Sequence, residues 1–212
     1  MQVAIPLFPR LTALDAIGPY EVLQRVPEFD VVFVGAERGE VRTENGMLGL
    51  TVDATFAEVE RPDVVVVPGG VGSRDHLEGS SLVDWVAAVH PTTRMTTSVC
   101  TGSLILAAAG LLTGRTATTH WGATEILAKL GAEPVRQRVV AHPEQRIITA
   151  AGVAAGIDMG IRLVALLVDE VAAQAAQLGI EYDPEPPYDA GHPDKVGPEV
   201  MARVREFSAV RR

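Results

Sequence analysis

The chain has 212 residues, 47% of them hydrophobic, 21% charged and only 5% aromatic, with a formal net charge of −9. A chain of this length buries roughly 70% of its unfolded surface, so its core needs no staple, and a single cysteine excludes an internal disulfide framework. The acidic balance lacks the basic stripe that neutralises nucleic-acid phosphates. The one basic concentration, Arg203, Arg205, Arg211 and Arg212, reads as a solvated terminal helix, and no nucleic acid is expected as a partner.

The first residues, MQVAIPLFPR, have neither the basic region nor the small-residue cleavage site of a signal peptide. A short apolar run at 3–7 predicts the first strand, and LDAIGPYEVL leads into a helix over 16–24. DVVFVG predicts a strand at 30–35, and residues 40–54 read as a small hairpin. DVVVV at 63–67 is a buried strand that runs into Pro68-Gly69-Gly70, followed by a helix over 81–90. MTTSV at 95–99 is the next strand, then a helix at 104–112, a strand at 117–119, a helix at 121–130 and a strand at 147–150.

One long helix is predicted from 155 to about 178. The uncharged stretch 95–114 is long enough to raise a transmembrane question. Its six Thr or Ser and three Gly instead favour a buried strand and a buried helix, so no membrane partner is expected and the protein is read as cytoplasmic. After Gly179 the texture changes to EYDPEPPYDAGHPDK at 181–195, a Pro-rich loop that reads equally as a semi-rigid connector or as a closing loop. An amphipathic helix at 197–209 follows. Strands alternating with helices imply an α/β fold: a single doubly wound, mostly parallel sheet with helices on both faces.

Cys100 ends the strand MTTSV and precedes Thr101-Gly102-Ser103, after which LILAAAGLL is helical. A lone cysteine is commonly a small buried hydrophobe, but a residue at a sharp strand-to-helix turn stands at the carboxyl edge of the sheet, where open α/β folds place ligands. The arrangement is that of a nucleophile elbow. Free N–H groups and the positive end of the following helix favour thiolate, so the thiol pKa is expected to fall from about 8.5 into the range of roughly 3.5–7.5.

A second glycine-rich turn follows the strand DVVVV. The N–H groups of Gly69, Gly70 or Val71 are candidates for an oxyanion hole and for binding substrate. The spacing is not that of a P-loop and no Lys follows. Asp15 keeps two readings: a helix N-cap worth about 1 kcal/mol, or a carboxyl beside Cys100 that shuttles a proton, its pKa raised by desolvation. Of the five histidines, His76, His90, His120, His142 and His192, none has metal-ligand spacing, and no metal is expected. His120, in TATTHW, is the candidate for the site, with a supporting core role as its other reading.

VVPGG and SVCTGS, on a strand, turn and helix around the cysteine, resemble the ThiJ/PfpI superfamily, whose members use a cysteine on a strained elbow. The likeness covers nearly the whole chain and implies one such domain over 1–212. LFP, LDAIGPYEVL, PGGVGS, TSVCTGSLILAAAGLLTGRTATTHW, AGVAAGIDMG and EYDPEPPYDAGHPD resemble, in order, the segments of members that add water to isocyanides. Protease-like and glyoxalase-like members typically place His directly after the cysteine or Glu on the first loop; here Thr101 and Asp15 stand in those places.

The resemblance implies a lyase that gives N-substituted formamides through a Cys100 thioimidate. Asp15 would be the acid and then the base, and Thr101 would hold Asp15 or the thiolate. It also implies no cofactor, a small-molecule isocyanide in a mostly apolar pocket, and a homodimer. Two other functions remain open. One is a further cysteine-dependent activity (glyoxalase, deglycase or amidase), which needs His120 within hydrogen-bond reach of Cys100. The other is a redox sensor without turnover.

Overall fold

The structure, a computed structural model, describes residues 1–210. The chain divides into two compact units, Met1–Ile180 and a second that begins at Glu181. In chain order the first unit contains β1 (Gln2–Pro6), α1 (Ala13–Leu23), β2 (Asp30–Gly35), β3 (Gly39–Arg42), β4 (Gly49–Val52), β5 (Ala54–Thr55) and β6 (Val64–Val67). These are followed by α2 (Ser81–Val89), β7 (Met95–Val99), α3 (Gly102–Ala108), β8 (Thr116–Ala117), α4 (Thr124–Lys129) and β9 (Glu133–Pro134). β10 (Val139–His142), β11 (Ile147–Ala150), α5 (Ala155–Leu167) and α6 (Glu170–Gly179) complete it.

Seven strands form the central sheet in the order β10-β11-β7-β6-β1-β2-β5, parallel throughout except for β10, which runs antiparallel to β11. The apolar runs explain the centre. All four valines of β6 are fully buried between β1 and β7, each side chain contributing about 1.5–3 kcal/mol relative to exposure. Helices α1, α5 and α6 pack on one another, and α3 packs against both α2 and α4, giving the two helical layers of a doubly wound fold. Gly160 lets α5 lie close against α1, since a Cβ there would meet the Val22 side chain at 3.2 Å.

The chain runs from β1 outward to β2 and β5, then returns to β6 on the opposite side of β1. The order therefore reverses between β1 and β6. The turns after β1, β6 and β7 open side by side at the carboxyl edge, the crevice where such sheets bind ligands.

Several elements differ from the sequence reading. The strand expected at 117–119 is reduced to β8, which pairs with β9 in a separate two-stranded sheet. The helix expected from 155 to 178 is broken at Val168, because Asp169 caps a new helix by accepting the Ala172 N–H at 2.7 Å. The 104–112 helix begins at Gly102 and gives way at Gly110, whose φ is 78°. β10 had no apolar run long enough to announce it. The hairpin read at 40–54 is β3 paired with β4.

The second unit contains a short turn at Pro193–Lys195, an ion pair between Lys195 and Asp189, and α7 (Pro198–Val210), in which Arg203 pairs with Glu206 at 3.2 Å. Arg211 and Arg212 lie outside the described residues. Among the described residues no helix is long and apolar enough to cross a membrane.

Candidate active site

Cys100 sits between β7 and α3 with φ 56°, the left-handed region that non-glycine residues rarely adopt. The surroundings hold it there. Its N–H donates to the carbonyls of Ala150 and Ala151 at 3.1 and 2.9 Å, and its carbonyl accepts from Thr119 Oγ1 at 3.0 Å and Ser103 Oγ at 3.1 Å. Gly102 is required because a Cβ there would stand 2.2 Å from the Val67 carbonyl oxygen. The residue is 5% exposed. Two N–H groups act on its sulfur, one from Thr101 and one from Val153, which itself has φ 29° at the turn into α5.

Asp15 is fully buried. It is not the cap of α1: Thr12 holds the N-cap position and Asp15 lies inside the first turn. Its Oδ2 accepts from the Gly69 N–H at 2.9 Å, while Oδ1 is buried without a hydrogen-bond partner among the described residues. The carboxyl interacts with the Cys100 thiol. Burial pushes its pKa up to about 7, against the opposing pull of the Gly69 N–H. The Cys100 thiol is also pushed up, first by burial and then by the Asp15 charge. Burial and the Asp15 charge thus act against the lowering expected from the start of α3, which has only seven residues.

The three expected oxyanion donors all have partners within the chain. Gly69 N–H goes to Asp15, Gly70 N–H to Thr101 Oγ1 at 2.8 Å and Val71 N–H to Glu44 Oε1 at 3.1 Å. Gly69 thus serves by placing the Asp15 carboxyl. The Thr101 hydroxyl holds neither Asp15 nor the sulfur; it also donates to the Gly70 carbonyl at 3.0 Å, lacing the two glycine-bearing turns together.

His120 is half-buried, with its pKa lowered by desolvation and by Arg74. Its Nδ1 accepts from the Gly122 N–H and its ring lies 5.0 Å from that of Trp121. The groups acting on the Cys100 sulfur are Thr101, Val153 and Asp15, without His120.

Sequence reasoning missed Glu44, at the tip of the β3–β4 hairpin, and Val153. Glu44 carries no local motif. Val153 stands in AGVAAG, whose flanking small residues were the available signal. Three large apolar side chains remain exposed beside site residues in the chain: Leu14, Val71 and Trp121. A cavity of about 270 Å³ near the hairpin, lined by Phe8, Val41, Phe56 and His76 among others, includes neither Cys100 nor Asp15.

Fold and site together define an α/β protein with a cysteine in a left-handed strand-to-helix turn at the carboxyl edge of its sheet, one strand from the switch point, and a buried carboxyl as the thiol's neighbour. The DJ-1/PfpI family model matches residues 1–166, and the chain belongs to that family. It is 40% identical over 209 residues to the isonitrile hydratase of Pseudomonas putida, covering 99% of this chain and 90% of that protein. A THiJ/PfpI family protein from Pseudomonas syringae superposes with a TM-score of 0.91 at 36% identity, covering 98% of this chain and 86% of that one. A deglycase of Pyrococcus horikoshii is 30% identical over 129 residues, 60% of this chain and 76% of that protein.

Proposed function

We propose that the protein is a hydratase that adds water to isocyanides (isonitriles), R–N≡C, to give N-substituted formamides, with Cys100 as nucleophile and Asp15 as the proton carrier. The observation that carries this reading is the buried thiol–carboxyl pair with no histidine acting on the sulfur. Similarity to a hydratase along nearly the full chain supports it.

The chemistry follows from protons moving between two neighbouring groups. The Cys100 sulfur bonds to the terminal carbon of the isocyanide, and the thiol proton passes through Asp15 to that carbon, giving the thioimidate R–N=CH–S. Water then adds to the same carbon while Asp15 takes one of its protons and returns it to nitrogen, giving R–NH–CH(OH)–S. The carbon–sulfur bond breaks, the hydroxyl proton returns by Asp15 to sulfur, and R–NH–CHO leaves. A carboxyl whose pKa is about 7 both gives and takes a proton near neutrality. The Thr101 and Val153 N–H groups stabilise charge on the sulfur as its bonds change. No step requires a cofactor. Leu14, Val71 and Trp121 supply apolar surface for R.

The redox-sensor reading needs no proton carrier beside the sulfur, so loss of turnover in Asp15→Asn with Cys100 still oxidisable favours the hydratase. A homodimer follows from the family resemblance alone, and light scattering tests it. The direct test of function is turnover of a simple alkyl isocyanide, followed by formamide appearance, with Cys100→Ala as control. Formamide from the parent and none from the variant is expected. Folded parent protein that makes no formamide would refute the hydratase.

A further inference from the structure

The β3–β4 hairpin brings to the site a carboxylate that the reaction scheme does not use. Glu44 Oε1 accepts from Thr12 Oγ1 at 2.9 Å and from the Val71 N–H at 3.1 Å, and the Glu44 N–H donates to the Leu11 carbonyl at 3.1 Å. Thr12 begins the helix that carries Asp15. Val71 follows Gly69 and Gly70, and Gly69 is the residue that donates to Asp15. One oxygen therefore ties together the two segments that hold Asp15 from either side. Glu44 itself is exposed and brings a formal negative charge.

That charge reaches the site. The titratable groups acting on Asp15 are Cys100 from the elbow and Glu44 from the hairpin. Those acting on His120 are Arg74, from the turn after Gly70, and Glu44 again. We propose that Glu44 is a positioning residue that bridges Thr12 and Val71 to fix Asp15 against Cys100. Its charge, held near that carboxyl, acts in the same place by favouring the form that bears the proton. The inference rests on the hydratase reading for its effect on turnover, but the thiol–carboxyl pair can be followed without turnover.

Glu44→Gln tests it, because the amide oxygen still serves both donors while the charge is gone. The probe is iodoacetamide alkylation of Cys100 as a function of pH, which needs no isocyanide. The inflections of the coupled pair should move to lower pH by on the order of a few tenths of a unit. About 0.5 M salt should produce the same displacement in the parent and little in the variant, since an exposed charge is screened at that ionic strength. Glu44→Ala, which loses the bridge as well, should show the displacement together with a raised KM for isocyanide. A profile unmoved by Glu44→Gln, or by salt in the parent, would overturn the proposal and leave Glu44 a structural staple. If the parent makes no formamide but its alkylation profile still moves, the hydratase reading fails and this one stands.

Discussion

Replacing Asp15 by asparagine separates the cost of the site from its use. The folded carboxyl has a pKa of about 7 against an ordinary 3.8. Between about pH 4 and pH 7 the folded protein therefore binds the Asp15 proton that the unfolded chain has released. Stability falls as pH rises through this window, and the full cost applies above pH 7. The interval corresponds to an upper bound of ~4 kcal/mol.

The amide introduced by Asp15→Asn would carry no charge, and its oxygen would still accept the Gly69 N–H. The variant should thus be more stable than the parent at pH 8 by about 2–4 kcal/mol and indistinguishable from it at pH 4. For a chain of this length that is a rise in Tm of roughly 5–15 °C at pH 8. Urea unfolding followed by tryptophan fluorescence at pH 4, 6 and 8 reads the difference, and formamide production by the variant should be abolished. A stability gain that is the same at pH 4 and pH 8 would refute the reasoning, because no proton would then be involved.

Further predictions concern the elbow. Alkylation of Cys100 should keep accelerating as pH rises through 8, since burial and Asp15 raise the thiol pKa; a rate already level at pH 6 would contradict that direction. Thr101→Val leaves the buried Gly70 N–H without its acceptor and should cost about 1–3 kcal/mol in urea unfolding. Gly102→Ala places a Cβ 2.2 Å from the Val67 carbonyl and 2.8 Å from that of Pro68, and should cost roughly 3 kcal/mol or more. The expected readouts are a lowered Tm and slowed Cys100 alkylation.

The inner strands β6, β7 and β11 are buried along their whole length and read as short runs of apolar or small residues between turns; β2, β7 and β11 have the bounds expected of them. β10 sits at the edge with one neighbour and has no such run. The break between α5 and α6 was visible in principle, for Asp169 is a capping residue, but the apolar periodicity on either side masked it. Cys100 was legible from strand, turn and glycine alone. Its protonation was not: helix polarity is a local signal, whereas desolvation depends on what α1 lays over the sulfur. The Gly69–Gly70–Val71 turn was visible in the sequence, but the partners of its N–H groups, Asp15, Thr101 and Glu44, come from three other parts of the chain.

The same distinction explains how the elbow survives. A non-glycine residue at φ 56° costs on the order of 1–3 kcal/mol, and no residue next to Cys100 in sequence offsets that alone. Ser103 Oγ supplies a local restraint on the Cys100 carbonyl, and distant segments supply the rest: Thr119 after β8 grips the same carbonyl, and Ala150 and Ala151 at the end of β11 grip the N–H. Because the Thr119 and Ala150–Ala151 anchors belong to different parts of the chain, the full restraint is in place only when β7 and β11 are paired. The thiol is then presented to one carboxyl in a dry crevice, where neither group ionises easily beside the other. In the hydratase reading proposed above, this pair passes a proton as sulfur attacks an uncharged carbon electrophile.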